Sequence, residues 1–244
     1  MNEAIEAYRQ KQTALDSAVR TAVQAVFDQL AGLEPEKMRD RLITVVPPLV
    51  EQYGAVAAEL ATEFYAASLP VGSHFTPLPS LTIPDSSAEA IEEGIRYQAG
   101  KLFVDDVQGA AQGVASMASR HVRLYGRQTM VDNVHREGVG WARVPKGDKT
   151  CSFCLLLASR GAVYATRKGA STTKVGKDFH NDCDCEIVRM ESGEQYPPGY
   201  LPDNYLEMYE HARNEAENPG DIKSILAQMR RLYPDTVTDG VVPS

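Results

Sequence analysis

The sequence is sparing with several residue types and patterns. It holds four cysteines, one tryptophan and six phenylalanines in 244 residues, and it carries no internal repeat or low-complexity tract. Four cysteines are too few for the dense framework of a small disulfide scaffold. No apolar run approaches the ~20 residues that a bilayer-spanning helix needs. The longest, Ile43 to Val50, is interrupted by Pro47 and Pro48. Positive charge is not in surplus either: 25 Lys/Arg stand against 33 Asp/Glu, a formal net charge of −8. A protein whose main task is to grip a phosphate backbone needs the opposite balance. The first residues lack the basic end and apolar core of a signal peptide and open instead on Glu3, Glu6 and an amphipathic pattern. The expectation is a chain made in a reducing cytoplasm with no membrane segment, where cysteines serve metal ligation more readily than disulfides.

What is present is ordinary globular material, 43% hydrophobic and 24% charged, enough for one sizeable core or a core plus a small satellite. Leu15, Val19, Ala22, Val23, Val26, Phe27 and Leu30 fall at the 3-and-4 spacing of a helix with one buried stripe, and Gly32 offers a stop. A second helix is expected over about 35 to 45, ending before Pro47 because a residue preceding proline avoids helical angles. A third follows, with Leu49, Tyr53, Val56, Leu60 and Phe64 on one face.

Pro70, Gly72, Pro77, Pro79 and Pro84 crowd a stretch that no regular element tolerates, so 69–85 reads as a hinge loop. Ser86 followed by Glu89 reads as a capping box opening a helix to about 102. A longer helix starts near Asp105 or Asp106 and runs to about Gly138. After Gly140, glycines interrupt short β-prone pieces, Ala162 to Thr166 and Glu186 to Met190. Helix returns at about 202 to 216 and again from Pro219, taken as an N1 proline. The tail from Pro234 reads as frayed.

The fold class is therefore mainly α: a helical body with a small irregular α+β Cys/His insert. The expected organisation is an N-terminal helical region over 1–68, the proline-rich loop over 69–85, a long-helix region over 86–140, a Cys/His module over 141–199, and C-terminal helices and tail over 200–244.

All four cysteines lie in that module, as Cys151-Ser152-Phe153-Cys154 and then His180-Asn181-Asp182-Cys183-Asp184-Cys185. Two ligands separated by two residues can bend around one metal ion, and a second pair returned by a loop completes a tetrahedron. The preferred set is Cys151, Cys154 and Cys183, with His180 or Cys185 as the fourth, around a structural zinc ion. Reduced thiols that merely pack, or disulfides formed in an assembled extracellular particle, are the competing readings. Thioredoxin-like redox chemistry lacks its βαβ frame, and a cysteine nucleophile lacks an orienting third group or an oxyanion hole. Trp141 is expected to anchor the insert, since a single large ring buries much area.

Residues 143 to 189 hold nine Lys/Arg against five Asp/Glu, which leaves a formal −12 for the rest of the chain. Lys146, Lys149, Arg160, Arg167, Lys168, Lys174 and Lys177 are thus candidate nucleic-acid contacts of a zinc-stabilised module. The aromatic platform of a single-strand binder is thin, with Phe153, Tyr164 and Phe179 as its only members. The remaining histidines, His74, His121, His135 and His211, read as packed or solvated and not as catalytic.

Taken in order, Trp141-Ala142-Arg143-Val144, Asp148-Lys149-Thr150-Cys151-Ser152-Phe153-Cys154, Leu157-Ala158-Ser159-Arg160-Gly161-Ala162-Val163-Tyr164 and Phe179 to Cys185 resemble the C-terminal half of phage minor head proteins of the Mu F type, particularly those of actinobacterial phages. The resemblance covers about residues 120 to 190. In that family a preceding helix often carries an adjacent Arg-Thr pair, whereas here Gln128 separates Arg127 from Thr129. The resemblance implies a virion structural protein made in the host cytoplasm, present in few copies at the portal vertex or capsid interior, partnered by the portal or the major capsid protein, and acting in head assembly or DNA delivery. It implies no enzyme, because the residues after Cys185 look helical and too few for an added catalytic domain.

Overall fold

The computed structural model describes residues 2–145, 149–161, 185–191, 193 and 196–237. These divide into two compact units, the first ending at Asn133 and the second beginning at Val134. The fold is mainly α, with seven α-helices and one two-stranded sheet among the described residues. No helix among them is long and apolar enough to cross a membrane.

The first unit starts with α1 (Asn2–Gln29), which buries Ile5, Tyr8, Gln12, Leu15, Val19, Val23 and Phe27, one residue per turn along a single stripe. Gly32, at φ +83°, turns the chain into α2 (Pro35–Ala67), whose Pro35 sits in the first turn where a missing N–H costs nothing. The expected break at Pro47 does not occur: α2 passes through both Pro47 and Pro48. Two N–H donors are lost there, at a cost of about 3 kcal/mol or more for each interior proline. What offsets the loss is a continuous buried face of Met38, Leu42, Val46, Pro47, Val50, Ala57, Ala61 and Phe64, which two shorter helices could not align. Tyr8 stacks on Phe64 at a centroid distance of 4.5 Å, joining α1 to α2.

Residues 69–83 carry no regular element, as expected, yet they are fastened to α4 (Val107–Glu137). Asn133 accepts the N–H of Leu78 at 2.9 Å and donates to its carbonyl at 2.8 Å. Thr129 Oγ1 accepts the N–H of Ser80 at 3.0 Å, and the Ser80 hydroxyl donates to Asp132 at 2.6 Å. The segment is a strap whose backbone polar groups are satisfied by side chains of a helix.

A short 3-10 turn (Pro84–Ser86) leads into α3 (Ala88–Ala99). The cap lies one residue later than expected: Ser87 accepts the N–H of Ala90, and Ser86 is instead buried against α4. Glu89 is therefore in the first turn, where a backbone N–H and the Ser87 hydroxyl lower its pKa. A 3-10 segment (Gly100–Val104) and Asp105, at φ 58°, reverse the chain; Asp106 then accepts the N–H of Gly109 at 2.8 Å to open α4.

Helix α4 buries residues on most of its circumference, from Ala110 to Met130. Two glycines permit its close approach. A Cβ on Gly54 of α2 would meet the Tyr125 ring at 2.6 Å, and one on Gly126 would lie 3.1 Å from the Ala57 carbonyl. Asp16 of α1 is paired with Arg20 at 2.9 Å and with Arg123 of α4 at 3.2 Å.

In the second unit, β1 (Gly140–Val144) pairs antiparallel with β2 (Glu186–Met190), Gly140 opposite Met190 and Val144 opposite Glu186. β2 was legible as a β-prone piece; β1 was not. The Ala162 to Thr166 piece lies outside the described residues. Helices α5 (Ser152–Ala158), α6 (Pro202–Glu215) and α7 (Ile222–Leu232) pack a separate core of Leu155, Leu156, Ala212, Ile225, Leu226 and Met229. The last helix does not start at Pro219. Pro219 and Gly220 form a turn, and Asp221 caps the helix by accepting the N–H of Lys223 at 3.1 Å. The tail is tied down as far as Val237, which is buried and bridges Thr150, while Thr150 donates its N–H to the Thr236 carbonyl at 3.0 Å.

Candidate functional site

The described part of the Cys/His module is a junction of α5 with the strand pair. Pro145 ends β1, and a short connection leads to Cys151, which caps α5. Its Sγ accepts the backbone N–H of Cys154 at 3.2 Å.

Cys154 sits in the first turn of α5, and Cys185 immediately precedes β2. Their Sγ atoms lie 3.1 Å apart, and both residues are completely buried. Cys151 is buried as well, and all three are free cysteines. The sheet register fixes this meeting: holding Glu186 opposite Val144 sets where the residue before β2 can lie. Ala158, at the end of α5, is held from the other side by the Tyr200 hydroxyl, which donates to its carbonyl at 2.6 Å.

The structure thus brings Cys154 and Cys185 together, with Cys151 bonded to the backbone of the same turn. Among the described residues, no group of three or more His, Cys, Asp or Glu side chains is arranged to hold a metal ion. His180 and Cys183 lie outside the described residues, as do Lys146, Arg167, Lys168, Lys174 and Lys177. Of the candidate nucleic-acid contacts, Lys149 and Arg160 are described, and both are exposed. Trp141 lies on β1 and is 3% exposed, so it is a core residue of the second unit.

Sequence reasoning missed two buried arginines. Arg143 of β1 and Arg189 of β2 are 0% and 2% exposed. Arg189 donates from Nε to Glu137 Oε2 at 2.7 Å and from Nη2 to Glu137 Oε1, and Nη2 also reaches Glu191 at 2.6 Å. The bonds to Glu137 raise the Arg189 pKa, so its charge is permanent. The available signal was an arginine inside each of two short apolar runs, at positions where a strand has no solvent face. In the first unit, buried His121 was equally silent: its ring contacts Ser86 and Arg120, each at 3.1 Å.

The chain is similar to two mycobacteriophage proteins, each called Gene 15 protein. It is 25% identical to that of Mycobacterium phage D29 over 234 residues, covering 79% of this chain and 85% of the relative. It is 26% identical to that of Mycobacterium phage L5 over 166 residues, covering 64% of this chain and 56% of the relative. No solved structure matches. The sequence profile of the VG15 proteins matches residues 1–212, spanning the whole first unit and reaching into α6 of the second. The chain belongs to the VG15 protein family.

Proposed function

We propose that this phage-family protein is a minor structural component of the virion head. In this reading it sits at the portal vertex or on the capsid interior, contacts the portal or the major capsid protein, and acts in head assembly or DNA delivery without catalysing a reaction. The observation that carries the reading is the ordered motif from Trp141 through Cys151 and Cys154 to Cys185, which resembles minor head proteins of the Mu F type. Its first and last described members, Trp141 and Cys185, belong to one compact unit. The Cys/His cluster then acts as an added staple between α5 and the strand pair, because a sheet of two described strands gains little stability from its own pairing.

The net charge of −8 suits a protein that shares a capsid with DNA but must not adhere to it. A nucleic-acid-binding module using Lys149, Arg160 and the other basic residues of the insert is the second reading, and the acidic balance counts against it. The test is protein mass spectrometry on purified particles of the phage or prophage that encodes the chain, alongside DNA-free heads. Recovery at a few copies in both supports a head component. Absence from the particles, or salt-sensitive binding to DNA by the isolated chain, overturns it in favour of a non-virion or nucleic-acid role.

A further inference from the structure

We propose that the reversal between α3 and α4 is a docking tip for a protein partner whose surface offers an apolar pocket rimmed by lysine or arginine. The proposal deepens the head-component reading and rests on it for the choice of partner. Tyr97 and Val104 are 80% and 74% exposed, and Phe103 and Val107 are 48% and 47% exposed. Single exposed apolar side chains are ordinary on a protein surface, and Val71 on the strap is one of them. Four around one chain reversal mark a place where another molecule binds.

The reversal is held in place from within. The Asp106 N–H donates to the Lys101 carbonyl at 3.0 Å, and Lys101 Nζ donates to the Gly109 carbonyl at 3.1 Å. Asp105 takes the left-handed conformation, φ 58°, which Asp enters more readily than most residues. Arg39 of α2 lies over the Phe103 ring, 5.9 Å from its centroid. A tip ordered before its partner arrives gives up less conformational entropy on binding. Four side chains do not fill the ~800 Å² that each partner gives to a standard interface, so they serve as its anchor, a position in which tyrosine is among the favoured residues.

Charge selects the occupant. The cations around the tip are already engaged: Arg39 by Asp40 at 2.8 Å, Arg96 by Glu92 at 2.7 Å and Lys101 by the Gly109 carbonyl. Glu93 and Asp105 form no ion pair among the described residues. Glu93 is exposed and lies one helical turn before Tyr97, on the same face of α3. The charge left available at the rim is therefore negative. Residues 1–133 as a whole hold 11 Lys/Arg against 17 Asp/Glu. A second copy of the chain, a nucleic acid or an anionic membrane would bring like charge to this tip, whereas a basic-rimmed apolar pocket answers both its carboxylates and its apolar side chains.

The test is binding of the full chain to purified portal protein and to purified major capsid protein of the phage that encodes it, at low and high salt. The expected result is binding to one of them that weakens as salt rises. Val104→Glu and Tyr97→Glu should each weaken it by more than about tenfold, and Glu93→Lys should weaken it by setting a cation against the basic rim. Val71→Glu, on the strap, should bind as wild type does. All four positions are exposed, so thermal melts should match wild type; were one tip variant to melt early, the other decides. A wild-type chain that binds neither protein, tip variants that bind as wild type does, or a Glu93→Lys variant that binds more tightly overturns the assignment. So does self-association, or binding to anionic vesicles, that Val104→Glu abolishes. Presence in particles without this binding sinks the tip and leaves the head reading; binding through the tip by a chain absent from particles does the reverse.

Discussion

Ser86 Oγ lies 3.1 Å from His121 Nδ1, and Arg120 Nη2 lies 3.1 Å from the other ring nitrogen, Nε2. An arginine can only donate, so Nε2 accepts; the ring proton is on Nδ1 and is donated to Ser86. The imidazole is therefore neutral and both nitrogens are satisfied. Burial, reinforced by the Arg120 charge, lowers its pKa from 6.5 to about 4. Asp85, on the 3-10 turn, faces Arg120 and partly answers that charge.

The sign of the pH effect follows. Below about pH 6.5 the unfolded chain takes up a proton that the folded chain refuses until about pH 4. Stability should be intact above that window and fall as pH drops through it, by up to about 3 kcal/mol from this group. Thermal melts from pH 7.5 to 4.5 should show it. A His121→Asn variant should start less stable and fall less steeply. Parallel slopes for the two proteins would remove His121 as the cause.

Gly54 gives a second prediction. A methyl group there would sit 2.6 Å from Cδ2 and 2.8 Å from Cγ of Tyr125, ring atoms that cannot swing away as a flexible chain end does. Overpacking of this kind costs about 1–3 kcal/mol, only partly offset by the ~1 kcal/mol that alanine gains over glycine in a helix. Gly54→Ala should lower the urea midpoint. Gly100→Ala is the control, because its φ of −53° suits any residue and nothing lies within 4 Å of the added carbon; it should be neutral or stabilising. Equal effects from the two would mean that α2 and α4 are not in close contact at Gly54.

These two sites mark the boundary of what the sequence made legible. The stripe of α1 could be read because its period is local, and Gly32 and Asp106 mark helix ends by their own chemistry. The passage of α2 through Pro47 could not, because the proline penalty is local whereas the burial that offsets it comes from other helices. Asn133 and Thr129 look like ordinary helix residues; their bonds to the strap join positions 55 and 49 apart. The clustering of cysteines was plain from spacing alone. The choice of sulfur beside Cys154 depends on the β1–β2 register, and β1 itself was hidden because Gly140–Val144 does not alternate: all five residues are buried. A strand covered on both faces has no period-two signature.

The same strand pair supplies the last prediction. Arg189 is 2% exposed and Glu137 14%, whereas the second carboxylate, Glu191, is 46% exposed. Glu137→Gln removes the buried half of the pair but leaves Glu191 in place. The expected loss is about 3 kcal/mol, the low end of the range for stranding a buried charge, because Glu191 still answers part of it. Arg189→Met alone should cost no more than that, and the double variant Glu137→Gln with Arg189→Met should recover part of the single Glu137→Gln loss, since no buried cation then remains. Chemical denaturation of the four proteins closes the cycle. If the two single losses simply add in the double variant, the ion pair is not what joins the end of α4 to β2, and the packing around Trp141 becomes the feature to test.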